Sequence, residues 1–203
     1  MASPRIIQIH EDRIDTDGLR EVCEILSRGG IAAFPTETVY GIGCLKSISS
    51  AVERIYTVKG REQRKPLAVY LPDISSLRGV VEEVSPQAEK LISSFLPGSV
   101  TLIMKNKEGI PTGYRVSPNT VLKSLLELLP EPIVGTSANK SGEKDPVDAE
   151  EVQRALGDSI DVIIDSGPCT NPVPSTVVDC TGAAPVILRE GRISVREIQL
   201  VLK

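Results

Sequence analysis

The 203-residue sequence has a single histidine, His10, no Cys-x-x-Cys pair, no long apolar run and no excess of positive charge. Each absence narrows what the chain can do. With one imidazole there is no histidine cluster and no Ser-His-Asp set. Any catalysis must then rest on cationic electrostatic stabilisation, a bound metal or a proton acceptor on the substrate. Four separated cysteines, Cys23, Cys44, Cys169 and Cys180, read as reduced thiols in a cytoplasmic setting, since a chain of this size needs no disulfide staples. The apolar runs last only a few residues, whereas a membrane span needs about 20, and the N-terminus lacks a signal-peptide layout. A formal charge of −4 argues against non-specific coating of nucleic acid and leaves room only for a local basic groove. Neither Gly-x-x-x-x-Gly-Lys-[Ser/Thr] nor Gly-x-Gly-x-x-Gly occurs, which disfavours a P-loop NTPase and a dinucleotide-binding Rossmann domain.

What remains is 40% apolar and 25% charged, the composition of a globular chain with one well-buried core. No repeat, low-complexity tract or linker divides it, so a single domain over 1–203 is expected. Leu19, Val22, Ile25 and Leu26 share one face of a helix over 16–28 that Gly29-Gly30 stops. Ile31 to Phe34 reads as a buried strand. A second helix is expected from Ser50, with Ser50 and Glu53 as a capping box, and a strand over Leu67 to Leu71. Ser85-Pro86 opens a helix burying Leu91, Ile92, Phe95 and Leu96, and Pro97-Gly98 turns the chain into the strand Val100 to Met104. A helix around Leu122 to Leu129, a strand at Ile133-Val134, a helix over 149–156 capped by Asp148 and Glu151, and a strand from Ile160 to Ile164 follow. Strands at Thr176 to Val178 and Val186 to Leu188 precede a last helix capped by Ser194 and Glu197. The alternation predicts an α/β fold, a twisted mixed sheet with flanking helices. Segments 105–117 and 136–148 read as long site-forming loops.

The chemistry concentrates in a few places. Lys59-Gly60-Arg61-Glu62-Gln63-Arg64-Lys65 sets four cations against one acid, bracketed by a glycine and Pro66, in a chain that is acidic overall. Arginine grips phosphate or carboxylate bidentately and lysine acts as a mobile point charge, so the segment calls for an anionic ligand. Just before it, Pro35-Thr36-Glu37-Thr38-Val39-Tyr40-Gly41 presents hydroxyls after a buried strand, where ligands of open α/β sheets collect. Gly135-Thr136-Ser137-Ala138-Asn139-Lys140-Ser141-Gly142 can cradle phosphate or make an ordinary turn. Pro174-Ser175-Thr176 presents two hydroxyls, and Arg189 and Arg192 flank Gly191 after a strand. From the residues alone the inference is a pocket for a phosphorylated or nucleotide ligand, assembled from several loops.

These segments resemble the YrdC-like family of threonylcarbamoyl-AMP synthases. Pro35 to Gly41 is similar to the family's opening motif, and Lys59-Gly60-Arg61 with Lys65-Pro66-Leu67 to its Lys-x-Arg and Lys-Pro-Leu elements. Pro97-Gly98 with Thr101-Leu102, Ser137-Ala138-Asn139 with Ser141-Gly142, Ser175 to Asp179, and Leu188-Arg189 with Gly191 follow in family order, over about residues 15–195. Around Arg115 the chain reads Gly113-Tyr114-Arg115-Val116-Ser117-Pro118, one residue longer than the family's Arg-x-Pro. The resemblance implies a YrdC/RibB-type fold and an enzyme that joins L-threonine, bicarbonate and ATP, with Mg2+ carried by the ATP phosphates, into L-threonylcarbamoyladenylate and pyrophosphate. That product serves the t6A modification of tRNA, through a downstream threonylcarbamoyl transferase. It further implies Thr36 and Tyr40 on the threonine side, and Lys59, Arg61 and Lys65 as catalytic cations at the phosphates. Thr101, Arg115, Ser137, Asn139, Ser175 and Arg189 are then expected to bind substrate or nucleotide. Members with an extra C-terminal domain exist, and this chain is expected to lack one. Two rival readings stand beside this one: a non-catalytic RNA-binding module, and a related carbamoyl-transfer or sugar-phosphate enzyme.

Overall fold

In the computed structural model, which describes residues 3–203, the chain runs through β1 (Arg5–Gln8), α1 (Thr16–Ser27), β2 (Ala32–Phe34), β3 (Gly41–Leu45), α2 (Ser49–Lys59) and β4 (Ala68–Tyr70). It continues through α3 (Ile74–Val80), α4 (Pro86–Phe95), β5 (Val100–Lys105), β6 (Pro111–Arg115), α5 (Thr120–Leu128) and β7 (Ile133–Ser137), then α6 (Ala149–Leu156), β8 (Val162–Asp165), β9 (Thr176–Asp179), β10 (Val186–Arg189) and α7 (Val195–Leu202). Short polar side chains start most helices by accepting from backbone N–H groups that a helix leaves unpaired. Ser85 accepts from Ala88 with Pro86 in the first turn, and Asp148 accepts from Glu151. Ser194 and Glu197 form a reciprocal capping box. The box expected from Ser50 and Glu53 does not form. α2 begins at Ser49 with Ile48 as its N-cap, which places Ser50 inside the first turn, where it has no cap to make. Gly60 closes α2 at φ 58°, a left-handed C-cap that glycine adopts without strain.

The ten strands form one sheet in the order β1-β8-β2-β3-β7-β4-β6-β5-β9-β10. Four pairs are parallel (β1–β8, β8–β2, β4–β6, β5–β9) and five antiparallel (β2–β3, β3–β7, β7–β4, β6–β5, β9–β10), so the sheet is mixed. Two strands replace expected loop. β3 starts at Gly41, inside the hydroxyl turn, and β6 occupies most of the second half of segment 105–117.

The two faces of the sheet are covered unequally. On one face Val69, Leu102, Tyr114, Val134 and Val178 meet Ile55 of α2, Leu91 and Ile92 of α4, Val152 of α6 and Ile198 of α7 in a continuous buried cluster. On the other, α1 and α5 bring Leu19, Val22, Leu26, Val121, Leu122 and Leu125 onto Ala32, Phe34, Ile133, Val162 and Ile164. Each such fully buried aliphatic contributes roughly 1.5–3 kcal/mol. The cluster under α1 and α5 spans β1, β8, β2 and β3 and ends at Ile133 of β7 and Tyr70 of β4. No residue of β6, β5 or β9 joins that cluster among the described residues, and there the cavity opens.

Candidate functional site

Strand alternation sets which residues reach the cavity face. Ala68 pairs with both Gly135 and Gly113, and Ile103 pairs with both Gly113 and Asp179. Gly135, Ala68, Gly113, Ile103 and Asp179 therefore form one row across β7, β4, β6, β5 and β9. All five line a cavity of about 490 Å³. Three of them have at most a methyl side chain, which leaves a shallow trough along the middle of the sheet. Two residues along each strand, Tyr70, Arg115, Thr101 and Val177 form one bank of this trough. The opposite bank comes from Arg61, Arg64, Lys65 and Pro66, and Thr36, Tyr40, Ser137, Ser175 and Arg189 add to the wall.

Of the eleven residues expected to act, nine line this one cavity: Thr36, Tyr40, Arg61, Lys65, Thr101, Arg115, Ser137, Ser175 and Arg189. Lys59 and Asn139 lie behind its wall. Lys59 is 3% exposed, and its Nζ donates to the carbonyls of Ser137 and Asn139 at 2.6 Å each and to Asn139 Oδ1 at 3.0 Å. Burial and the neighbouring Arg61 push its ammonium down to about 8.

Several hydroxyls expected to face a ligand are engaged within the protein. Tyr40 Oη donates to the Gly167 carbonyl at 2.8 Å and accepts from Ser166 N at 3.2 Å, so the phenol tip points to the 166–167 turn. Burial drives its pKa well above the ordinary phenol value. Thr36 Oγ1 donates to the Val39 carbonyl at 2.7 Å and accepts from Thr38 N at 3.1 Å. With its proton used, it also accepts from Thr38 Oγ1 at 3.0 Å, which fills both its lone pairs. Arg115 Nη2 pairs with Glu37 Oε1 at 2.7 Å, and Ser117 Oγ donates to the other Glu37 oxygen at 2.5 Å. Arg115 Nε, buried, has no hydrogen-bond partner among the described residues.

At the other end Thr101 Oγ1 and Ser175 Oγ lie 2.9 Å apart, and Arg189 Nη2 donates to the Ser175 carbonyl at 2.8 Å. Arg61 braces the cationic turn, with Nε donating to the Lys65 carbonyl at 2.9 Å and Nη2 to that of Pro66 at 3.1 Å. Arg64 pairs with Glu62, and Lys65 stands 3.6 Å from the same carboxylate. Burial lowers the pKa of both Arg61 and Arg189, with a neighbouring cation adding to it in each case and Asp145 opposing it at Arg189. Thr38, Arg64, Tyr70, Val177 and Asp179 also line the cavity and were not singled out as site residues. Tyr70 and Val177 lie two residues from the floor residues Ala68 and Asp179 on their strands, so strand alternation turns them to the same face once the register is known.

The fold and site together are those of an α/β protein with a mixed sheet and a cavity lined by several cations. The sequence profile of the Sua5–YciO–YrdC family (Telomere recombination) matches residues 24–191, and this chain belongs to that family. Threonylcarbamoyl-AMP synthase of Pyrococcus abyssi is 35% identical over 97% of this chain. The chain spans 60% of that protein's length. A putative threonylcarbamoyl-AMP synthase of Mycobacterium tuberculosis H37Rv is 35% identical over 91% of this chain and 89% of its own length. Among solved structures, P. abyssi Sua5 complexed with L-threonine superposes with a TM-score of 0.90 at 34% identity, covering 97% of this chain and 60% of the solved one. Escherichia coli YciO superposes with a TM-score of 0.87 at 29% identity, covering 96% and 99%.

Proposed function

We propose that this chain makes L-threonylcarbamoyladenylate and pyrophosphate from L-threonine, bicarbonate and ATP. The observation that carries the reading is convergence. Residues from 36 to 189 in the sequence, matching successive family motifs, line one cavity with five guanidinium or ammonium groups on its wall, Arg61, Arg64, Lys65, Arg115 and Arg189. The relative solved with L-threonine bound shares this fold over nearly the whole chain.

The chemistry asks for charge stabilisation and alignment. The threonine amine attacks the carbon of bicarbonate, whose hydroxyl leaves as water with an amine proton, or adds to carbon dioxide derived from it and gives that proton to solvent, and a carbamate forms. A carbamate oxygen then attacks the α-phosphorus of ATP, and the bond to the bridging oxygen breaks as pyrophosphate leaves with its electron pair. Negative charge builds on the phosphate oxygens, where Arg61, Lys65 and Arg189 can donate, and such donors act most strongly in a site shielded from water. Arg115, anchored by Glu37 and with Nε unpaired, suits the threonine carboxylate. Among the described cavity residues Asp179 is the one carboxylate. A single carboxylate does not make a protein cage, so magnesium would arrive held by the ATP phosphates. No protein imidazole enters any step. The product would pass to a separate threonylcarbamoyl transferase acting on tRNA.

The test mixes purified protein with ATP, magnesium, bicarbonate and L-threonine and measures the adenylate and pyrophosphate. Product that depends on both threonine and bicarbonate supports the assignment, and ATP turnover independent of either sinks it.

A further inference from the structure

Lys59 stands in the Lys-x-Arg element, yet its ammonium meets three oxygens of the protein, two backbone carbonyls and Asn139 Oδ1. An ammonium has three N–H donors, so this set uses all of them. The backbone closes the same junction from the other side, with Ser141 N donating to the Lys59 carbonyl at 2.8 Å. Asn139 is equally committed. Its Nδ2 donates to the Glu143 carbonyl at 2.6 Å, and its Oδ1 receives both Lys59 Nζ and Ser137 Oγ, the latter at 2.7 Å. The amide orientation is forced, because the flipped amide would set NH2 against an ammonium and a carbonyl against a carbonyl. Asn139 Oδ1 carries no proton, so the Ser137 hydroxyl must be the donor of that bond. What Ser137 has left for the cavity it lines is lone pairs.

We propose that Lys59 is a positioning residue and not a phosphate ligand: it locks the 137–143 loop and, through Asn139, holds Ser137 as a hydrogen-bond acceptor toward the nucleoside part of the ligand. An acceptor repels phosphate oxygens and takes a ribose hydroxyl or an amine. The phosphates are left to Arg61, Lys65 and Arg189, which line the cavity; among the described residues Arg61 Nη1 and Arg189 Nη1 have no hydrogen-bond partner, and Lys65 Nζ is held only by the Glu62 carboxylate at 3.6 Å. This assignment rests on the nucleotide reading of the cavity.

Three measurements test it. In the Lys59→Met variant, tripolyphosphate affinity stays within about twofold of wild type, while ATP affinity falls about tenfold and amide exchange across 139–143 quickens about tenfold. In the wild-type protein, saturating tripolyphosphate leaves the Lys59 side-chain NMR signals in place and moves those of Arg61, a comparison that needs no variant to fold. A loss of tripolyphosphate affinity of about tenfold or more in Lys59→Met, or a shift of the wild-type Lys59 signals, makes Lys59 a phosphate ligand and overturns the proposal. Unchanged exchange across 139–143 overturns it as well. Should the wild-type protein bind neither tripolyphosphate nor ATP, the nucleotide reading fails, and the exchange measurement still decides whether Lys59 holds the loop.

Discussion

Glu37 and Arg115 form an ion pair at 2.7 Å between side chains that are 9% and 6% exposed, 78 residues apart in sequence. It ties the turn after β2 to the end of β6, and so joins the two halves of the cavity wall. Removing one partner of a buried pair leaves the other charge uncompensated, which typically costs about 3–5 kcal/mol. Glu37→Ala is therefore expected to lower unfolding free energy by about 3 kcal/mol or more in urea titration, with Glu37→Gln losing less because the amide oxygen still accepts from Arg115. A Glu37→Ala variant as stable as wild type would remove this pair from the frame of the site.

Arg61 has two tasks, bracing the 65–66 backbone and presenting its remaining N–H groups to the cavity. Arg61→Ala is expected to cut kcat/KM for ATP by about tenfold or more, equivalent to about 1.4 kcal/mol of transition-state stabilisation. Arg61→Lys should recover little, since an ammonium cannot replace the planar fork. Steady-state kinetics at saturating threonine and bicarbonate decide the point, and unchanged kcat/KM excludes Arg61 from the phosphate wall.

Lys59 gives a pH signature. Its pKa lies near 8 in the fold against an ordinary 10.5, chiefly through burial and then through Arg61, with Asp145 acting in the opposite sense. Between those two values the unfolded chain holds the proton and the folded chain has released it. The unfolded state then binds more protons, so the contribution of this residue to stability rises with pH across the window and is flat below it. Denaturant titrations from pH 7 to 10 should show wild-type stability gaining on Lys59→Met as pH climbs past about 8. Parallel profiles for the two proteins would show that Lys59 titrates at its ordinary value.

Gly135 sits in the centre of the sheet, where a Cβ would stand 2.2 Å from the Ile42 carbonyl oxygen and 3.1 Å from Gly43 Cα. Both neighbours are backbone, so no rotamer change can relieve the overlap. Gly135→Ala is expected to cost about 1–3 kcal/mol in stability and to weaken ATP binding, since β7 forms part of the cavity floor. Calorimetry on the variant, with and without ATP, separates the two effects.

The same glycines explain what the sequence hid. In the sequence Gly41 and Gly43 suit a tight turn or the close approach of a ligand, and this conceals β3 within the hydroxyl segment. In the fold they are strand residues chosen for close approach. A Cβ on Gly41 would meet the Phe34 ring at 2.6 Å, and one on Gly43 would meet Ile133 at 2.3 Å. Pro111 and Gly113 disguised β6 in the same way, although Pro111 only starts the strand and Gly113 faces the open cavity. Helix starts were legible where a short polar side chain caps, as at Ser85, Asp148 and Ser194, and misjudged at α2, whose N-cap is Ile48. Motif order gathered most of the site, because loops beyond strand ends converge in any open α/β sheet. Hydroxyl direction was beyond its reach. Nothing local says that the Tyr40 phenol turns toward Gly167, or that Lys59 finds its partners 78 and 80 residues away.

The strand order also bears on a chain still leaving the ribosome. β9 and β10 are made after the other eight strands and join the sheet through β5 alone, yet they deliver Ser175 and Arg189. Up to that moment eight strands can already be paired around a trough with its cationic bank in place and one end missing. A nascent chain can thus hold almost all of its architecture while lacking a closed binding site, so the capacity to trap a ligand arrives late and nearly all at once.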